Sequence, residues 1–162
     1  MKTQLCVLAS GLALAFSGAA AVAGSTGNTY QEGFDNDATI TQAFNGNASA
    51  QITQKFVKNV AEATQDGNWH GTAKIDIYQD GINNYAKAKQ THTWGSDSKI
   101  VQLGWGNNAN TTQSWGGNQT SDVYQRGFGN TVNVTQTGSN LSATAVQVGV
   151  ANTSTITQTG GW

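Results

Sequence analysis

The sequence predicts an all-β protein, a parallel β-solenoid of six strand–turn–strand repeats that form two facing parallel sheets. A skeleton of Gln, four residues, Asn, five residues and Gln occurs six times, at steps of 23, 25, 23, 23 and 22 residues. Self-similarity at a fixed period is typical of stacked repeat architectures. Small or apolar residues alternate with polar ones around each skeleton, as in half-buried strands. The 162 residues include no proline, so every backbone N–H can join a β ladder.

The amides of the skeleton are the candidate site residues. A buried primary amide without a partner costs about 1–3 kcal/mol. At the same position in each repeat, an amide can donate to one neighbour and accept from the other, as in cross-β assemblies. We therefore expect a stacking ladder for self-assembly from Gln31, Asn36, Gln42, Gln54, Asn59, Gln65, Gln79, Asn84, Gln90, Gln102, Asn107, Gln113, Gln125, Asn130, Gln136, Gln147, Asn152 and Gln158.

A tight turn is expected in the four residues between the first Gln and the Asn of each skeleton. Glycine suits a turn because it adopts positive φ without steric cost. Five repeats have a glycine two positions after the Gln, namely Gly33, Gly81, Gly104, Gly127 and Gly149. The second repeat has Phe56 there, so we expect it to be the least regular.

Residues 1–23 read as a secretory signal, with Lys2 before an apolar stretch and an Ala-x-Ala cleavage site ending at Ala23. The mature chain then begins at Gly24, without the single cysteine, Cys6, and we expect no membrane span in it. Residues 24–28 are a short polar lead-in. Residues 29–162 hold the six repeats, which start near positions 25, 48, 73, 96, 119 and 141.

The composition argues against several classes of function. Only 10% of the residues are charged and the net charge is −1, so no basic stripe is available to nucleic acid. His70 and His92 are isolated from each other and from cysteine, and they read as exposed loop residues. No catalytic arrangement of side chains stands out. We therefore expect no enzyme activity, no metal and no cofactor.

The end repeats predict self-association. One unit of about 23 residues buries too few aliphatic side chains to offset its conformational entropy, so the units must stack. Stacking leaves an open strand edge at each end, and proteins usually blunt such edges with charges, proline or a capping repeat. The last repeat ends only four residues after Gln158 and is uncharged. We expect head-to-tail polymerisation of the chain with itself.

Exported repeats of the form Gln-x-Gly-x-x-Asn-x-(Ala/Val)-x-x-x-Gln resemble those of the curlin family, the subunits of bacterial curli amyloid. The closest match is the segment 124–130, Tyr-Gln-Arg-Gly-Phe-Gly-Asn. The resemblance implies a secreted, extracellular fibre on a Gram-negative bacterium, with roles in biofilm, adhesion and surface colonisation. It also implies export through an outer-membrane pore with accessory factors, and nucleation by a minor subunit.

Two other functions stay open from the sequence. The regular, uncharged last repeat favours the major fibre subunit, but the chain has six repeats and almost no Gly-rich lead-in, and a minor nucleating subunit is the first alternative. The second is a monomeric secreted β-solenoid that binds a glycan or an ice surface. That function needs a regular outward array, which Thr39 and Thr41 offer and which Lys87 and Lys89 interrupt.

Overall fold

The computed structural model describes residues 24–68 and 71–161. The expected signal segment, Trp69, His70 and Trp162 lie outside these residues. Twelve β-strands follow one another: β1 Thr26–Phe34, β2 Asp37–Ala43, β3 Asn47–Val57, β4 Val60–Asp66, β5 Thr72–Ile82, β6 Tyr85–Trp94, β7 Asp97–Trp105, β8 Asn108–Gly117, β9 Thr120–Phe128, β10 Thr131–Thr137, β11 Ser142–Val150 and β12 Thr153–Thr159. Strand β1 begins inside the segment 24–28, so part of the polar lead-in is paired.

The strands form two six-stranded sheets. Sheet A consists of the odd-numbered strands in the order β1-β3-β5-β7-β9-β11, and sheet B of the even-numbered strands from β2 to β12. Neighbouring strands are parallel, and their register matches the repeat, so that Gln31 lies opposite Gln54 and Gln54 opposite Gln79. Each repeat contributes one strand to each sheet and is called a rung below. The prediction of a six-rung, all-β parallel solenoid is confirmed.

The core lies between the two sheets. Side chains alternate sides along a strand, and the inward positions are the small and aliphatic residues of the repeat. Sheet A contributes the larger residues, among them Ile52, Ile75, Ile77 and Ile100, each fully buried. Sheet B faces them mainly with alanine in the first four rungs, and with Val132 and Val134 in the fifth. Small side chains opposite large ones let the two sheets pack closely.

The corner between the two strands of a rung is tighter than the predicted four-residue turn. Strand β1 continues past Gln31 to Phe34, and only Asp35 and Asn36 lie between it and β2. The difference arises because parallel pairing with the next rung extends through Gly33 and Phe34. The residue before each skeleton asparagine has a left-handed backbone, with φ of 54° at Asp35 and 54° at Ala151.

The skeleton glycines are needed for close approach between rungs as well as for their φ. Gly33 has a φ of 119°, and a Cβ atom on it would overlap the carbonyl oxygen of Phe56 in the next rung. The same overlap recurs at Gly81, Gly104 and Gly127, each against the next rung's backbone. In the second rung Phe56 occupies the glycine position with a φ of 72°, a strained conformation for an aromatic residue.

Candidate self-assembly interface

The first set of skeleton glutamines forms a continuous hydrogen-bonded ladder inside sheet A. The side-chain Nε2 of each glutamine donates to the Oε1 of the glutamine in the next rung, at 2.8–3.0 Å. The ladder runs through Gln31, Gln54, Gln79, Gln102, Gln125 and Gln147. From Gln54 to Gln147, each Nε2 also donates to a backbone carbonyl of sheet B, as Gln102 does to Tyr85 at 2.9 Å. These amides therefore tie the rungs together and also tie sheet A to sheet B.

The second set of glutamines builds a matching ladder in sheet B. Its members are Gln42, Gln65, Gln90, Gln113, Gln136 and Gln158, with Nε2 to Oε1 distances of 2.8–2.9 Å. The direction is the same as in sheet A, since every Nε2 points toward the later rung. The four central members are fully buried, so the three bonds between them are made away from water.

The skeleton asparagines form a third ladder at the tight corner, and its direction is reversed. The Nδ2 of each asparagine donates to the Oδ1 of the asparagine in the preceding rung, at 2.9–3.1 Å from Asn36 to Asn152. The backbone N–H of each later asparagine donates to the same oxygen, at 3.0–3.2 Å. The structure thus brings all eighteen candidate residues together in three ladders. Their part in assembly between chains stays a prediction.

The two ends of the solenoid expose opposite ends of these ladders. We call the edge formed by β1 and β2 the amino face and the edge formed by β11 and β12 the carboxyl face. At the amino face, the Oε1 atoms of Gln31 and Gln42 accept no hydrogen bond from the residues described. At the carboxyl face, Gln158 donates to the Ser142 carbonyl at 2.7 Å, and within the described chain its Nε2 has no ladder acceptor.

Some inward residues of the two end rungs are only partly covered. Ile40 in the first rung and Ile156 in the last are partly buried and pack against the core cluster, whereas their counterparts in the central rungs are buried. Asn152 is exposed, although the asparagines of rungs two to five are buried. Each end of the stack therefore lacks a neighbouring rung, and apolar and amide groups that are buried in the central rungs are in contact with water there.

Charge differs between the two faces. Glu32, Asp35 and Asp37 belong to the first rung, which has no basic residue. The chain has no acidic or basic residue after Arg126, so the last rung is neutral. Two amino faces brought together would oppose these carboxylates, whereas an amino face on a carboxyl face would not.

A short asparagine ladder at the other corner was not predicted. The Oδ1 of Asn45 accepts from the Asn68 backbone N–H at 3.2 Å, and the Oδ1 of Asn68 accepts from the Thr93 N–H and hydroxyl at 2.9 and 2.8 Å. All three residues are buried. Asn45, Asn68 and Thr93 are spaced by 23 and 25 residues, the same as the first two steps of the repeat. This spacing was the signal that could have identified them.

The outward surface carries one ion pair among the described residues. The Lys87 Nζ lies 2.7 Å from the Glu62 Oε2 on the adjacent rung. The hydrogen bond to Glu62 and its negative charge raise the pKa of Lys87 above its ordinary value. Burial and the Glu62 charge likewise raise the pKa of Tyr85, which donates to Glu62 at 3.2 Å. Both partners of the ion pair are well exposed to solvent, so the pair adds less than about 1 kcal/mol of stability.

Among residues 24–68 and 71–161 there is no cluster of three or more metal-ligating side chains. His92 is exposed and stacks flat on Trp115, with ring centroids 4.3 Å apart. No helix in the described part of the chain is long and apolar enough to cross a membrane.

Comparison with known proteins adds one finding. The family model described as the curlin associated repeat matches residues 129–160. This span covers the strands β10, β11 and β12. It includes five residues of the ladders, Asn130, Gln136, Gln147, Asn152 and Gln158. No curated protein and no solved structure matches the chain.

Proposed function

We propose that this chain, whose residues 129–160 match the curlin associated repeat, belongs to the curlin family and is a structural subunit that polymerises head-to-tail into an extracellular amyloid fibre. The fibre is of the curli type and serves biofilm matrix, adhesion and surface colonisation. The chain is secreted through an outer-membrane pore of a Gram-negative bacterium, and a minor subunit starts its assembly. It acts as a structural polymer and not as an enzyme.

The observation that carries the proposal is the complementarity of the two end faces. The carboxyl face offers Nε2 donors at Gln147 and Gln158, and the amino face offers Oε1 acceptors at Gln31 and Gln42. The asparagine ladder matches in the reverse sense, with the Asn36 amide as donor and the Asn152 Oδ1 as acceptor. A carboxyl face placed on the amino face of another copy repeats the step already made five times within the chain.

Contacts between like faces do not satisfy the same groups. Two amino faces would set glutamine Oε1 atoms against each other and bring the acidic side chains of the first rung together. Two carboxyl faces would oppose glutamine donors. The head-to-tail contact is heterologous and does not close, so it yields a filament and not a dimer.

Unseeded fibre growth tests the proposal. The chain from Gly24 onward contains all twelve strands, and its dilution from denaturant into buffer should produce a lag and then a sigmoidal rise in thioflavin T fluorescence. Preformed fibres should abolish the lag. Growth only on fibres of a related subunit would show dependence on an external nucleator. A flat trace with either seed would contradict the proposal and favour the monomeric solenoid that binds a glycan or ice.

Gly149 provides a more local test of the carboxyl face. A Cβ atom on Gly149 meets only the Asn152 Nδ2, at 3.4 Å, whereas in the rungs with Gly81, Gly104 and Gly127 it would overlap the next backbone. A following copy would place its Gly33 carbonyl in that open space. We expect Gly149→Ala to slow seeded elongation at least about tenfold, which corresponds to about 1.4 kcal/mol.

The control for Gly149→Ala is Gly106→Ala. Gly106 has a φ of 61° with no atom within 4 Å of an added Cβ, and Ala151 already occupies the equivalent corner position. This variant should elongate at close to the native rate. Native-rate elongation of Gly149→Ala would mean that no backbone covers Gly149 in the fibre.

A further inference from the structure

The outward charges of the solenoid alternate in sign along the stacking direction. In-register neighbours on adjacent rungs include six pairs in which both residues are charged, and each pair joins an acid to a base. The pairs are Glu32–Lys55, Lys55–Asp80, Lys74–Asp97, Asp76–Lys99, Lys99–Asp122 and Glu62–Lys87. No in-register pair in the two described sheets sets like charges against each other.

The amide ladders cannot select the neighbour of a rung. Every rung has glutamine, asparagine and glutamine at the same three ladder positions, and five of the six have the close-approach glycine. These groups would stack equally well on the next repeat of the same chain or on the same repeat of another chain. Any selection between the two arrangements must therefore come from side chains that differ between repeats, and the outward charges are such side chains.

The two arrangements differ sharply in electrostatics. In a stack of identical segments in register, each side chain lies on a copy of itself about 4.8 Å away. Each of the outward charges would then face its own sign, and like charges directly opposite one another destabilise a sheet. In the solenoid the same side chains face opposite charges or neutral residues.

We infer that these outward charges make each repeat pair with the next repeat of its own chain and disfavour stacking on the same repeat of another copy. The specificity-determining residues are Glu32, Lys55, Glu62, Lys74, Asp76, Asp80, Lys87, Asp97, Lys99 and Asp122. The inference rests on the proposed fibre, because it concerns which of two fibre architectures the chain adopts. The neutral last rung then accepts the acidic first rung of the next copy without a like-charge contact.

Spin labelling distinguishes the two architectures directly. The chain from Gly24 has no cysteine, so Thr135→Cys introduces a single labelling site on the outward face of β10. In the solenoid fibre, labels on successive copies are six rungs apart, about 29 Å. In the self-stacked arrangement they are about 4.8 Å apart and their spectra collapse into one exchange-narrowed line. We expect a spectrum without exchange narrowing, and a narrowed line would overturn the inference.

Charge reversal tests the role of the side chains. Lys87→Glu places two carboxylates on adjacent rungs, and the double variant Glu62→Lys with Lys87→Glu restores opposite charges in the reverse order. We expect the single reversal to lengthen the lag about fivefold, and the double reversal to return it to within about twofold of native. Recovery of the lag in the double variant would show that the effect comes from the signs of the paired charges and not from the loss of either native side chain. The inference would be overturned if neither variant changed the lag, or if the single and the double variant lengthened it equally.

The two proposals fail in different ways. Absence of any fibre from the native chain would contradict the proposed function and the inference together. Fibres with exchange-narrowed spectra would leave the amyloid proposal standing and overturn the inference alone.

Discussion

Replacing Gly127 with alanine is expected to abolish fibre formation by this chain. The new methyl group would overlap the carbonyl oxygen of Gly149 in the next rung, and that oxygen belongs to backbone that cannot move without breaking its own sheet. Gly127 also has a φ of 124°, where a residue with a side chain is strained by about 1–3 kcal/mol. Both effects fall on one step of the stack, so thioflavin T fluorescence should stay at baseline while the native chain completes its growth.

The matched control for Gly127→Ala lies two residues away. Gly129 has a φ of 64° and open space around its Cβ position, and Asn83 holds the equivalent corner position in the third rung with a φ of 55°. Gly129→Asn should assemble at close to the native rate. Assembly of Gly127→Ala at the native rate would show that the rungs are not as close in the fibre as they are in the chain.

The second large effect is expected from breaking a glutamine ladder at its centre. Gln102 is fully buried, accepts from Gln79 at 2.8 Å, and donates to Gln125 at 2.8 Å and to the Tyr85 carbonyl at 2.9 Å. Gln102→Leu leaves the Gln125 Oε1 and the Tyr85 oxygen without this donor. Each buried group left unsatisfied costs about 1–3 kcal/mol, which is large against the total stability of a domain.

Chemical denaturation of fibres measures this loss. We expect fibres of Gln102→Leu to dissolve at a clearly lower guanidinium concentration than native fibres, with a longer lag before they form. Gln51→Leu makes the same substitution at an exposed glutamine on the outward side of β3, outside the ladders, and should change little. Equal midpoints for Gln102→Leu and the native chain would mean that the ladder adds no stability to the fibre.

Much of the architecture could be predicted because the repeat encodes its own register. Once Gln31, Gln54 and Gln79 are recognised as equivalent, parallel in-register pairing follows, and the alternation of side chains then assigns the inner face. The buried positions of Ile75 and Val132 follow from that alternation, and the structure agrees. The three amide ladders are the direct consequence of equal spacing in both sheets.

The corners were less predictable, because the spacing of the repeated Gln and Asn residues does not determine where backbone pairing between rungs ends. The four residues after Gln31 read as a turn, yet pairing to the next rung continues through Phe34. Left-handed backbone at Asp35 and Lys58 also follows no simple composition rule, since the other rungs use asparagine, glycine or alanine at this position.

The second corner and the surface charges needed the structure for a different reason. The ladder from Asn45 to Asn68 ends at Thr93, and this change of residue type hides it from a search for repeated amides. The charge pairs involve residues that differ from repeat to repeat, so no consensus pattern contains them. Their order becomes visible only when the strands are aligned in register.

Disulfide capture between the two end faces reports whether the carboxyl face of one copy meets the amino face of the next. Thr41 and Thr157 occupy the same outward position in the first and last rungs. Within one chain they are five rungs apart, about 24 Å, but at a head-to-tail junction they would be neighbours about 4.8 Å apart. A disulfide can span that distance between Cα atoms.

Fibres of Thr41→Cys with Thr157→Cys should therefore oxidise into covalent chains. After denaturation without reductant, we expect a regular ladder of dimers, trimers and longer oligomers, while either single variant stays monomeric. A double variant that remains monomeric after oxidation, or single variants that dimerise efficiently, would contradict head-to-tail assembly.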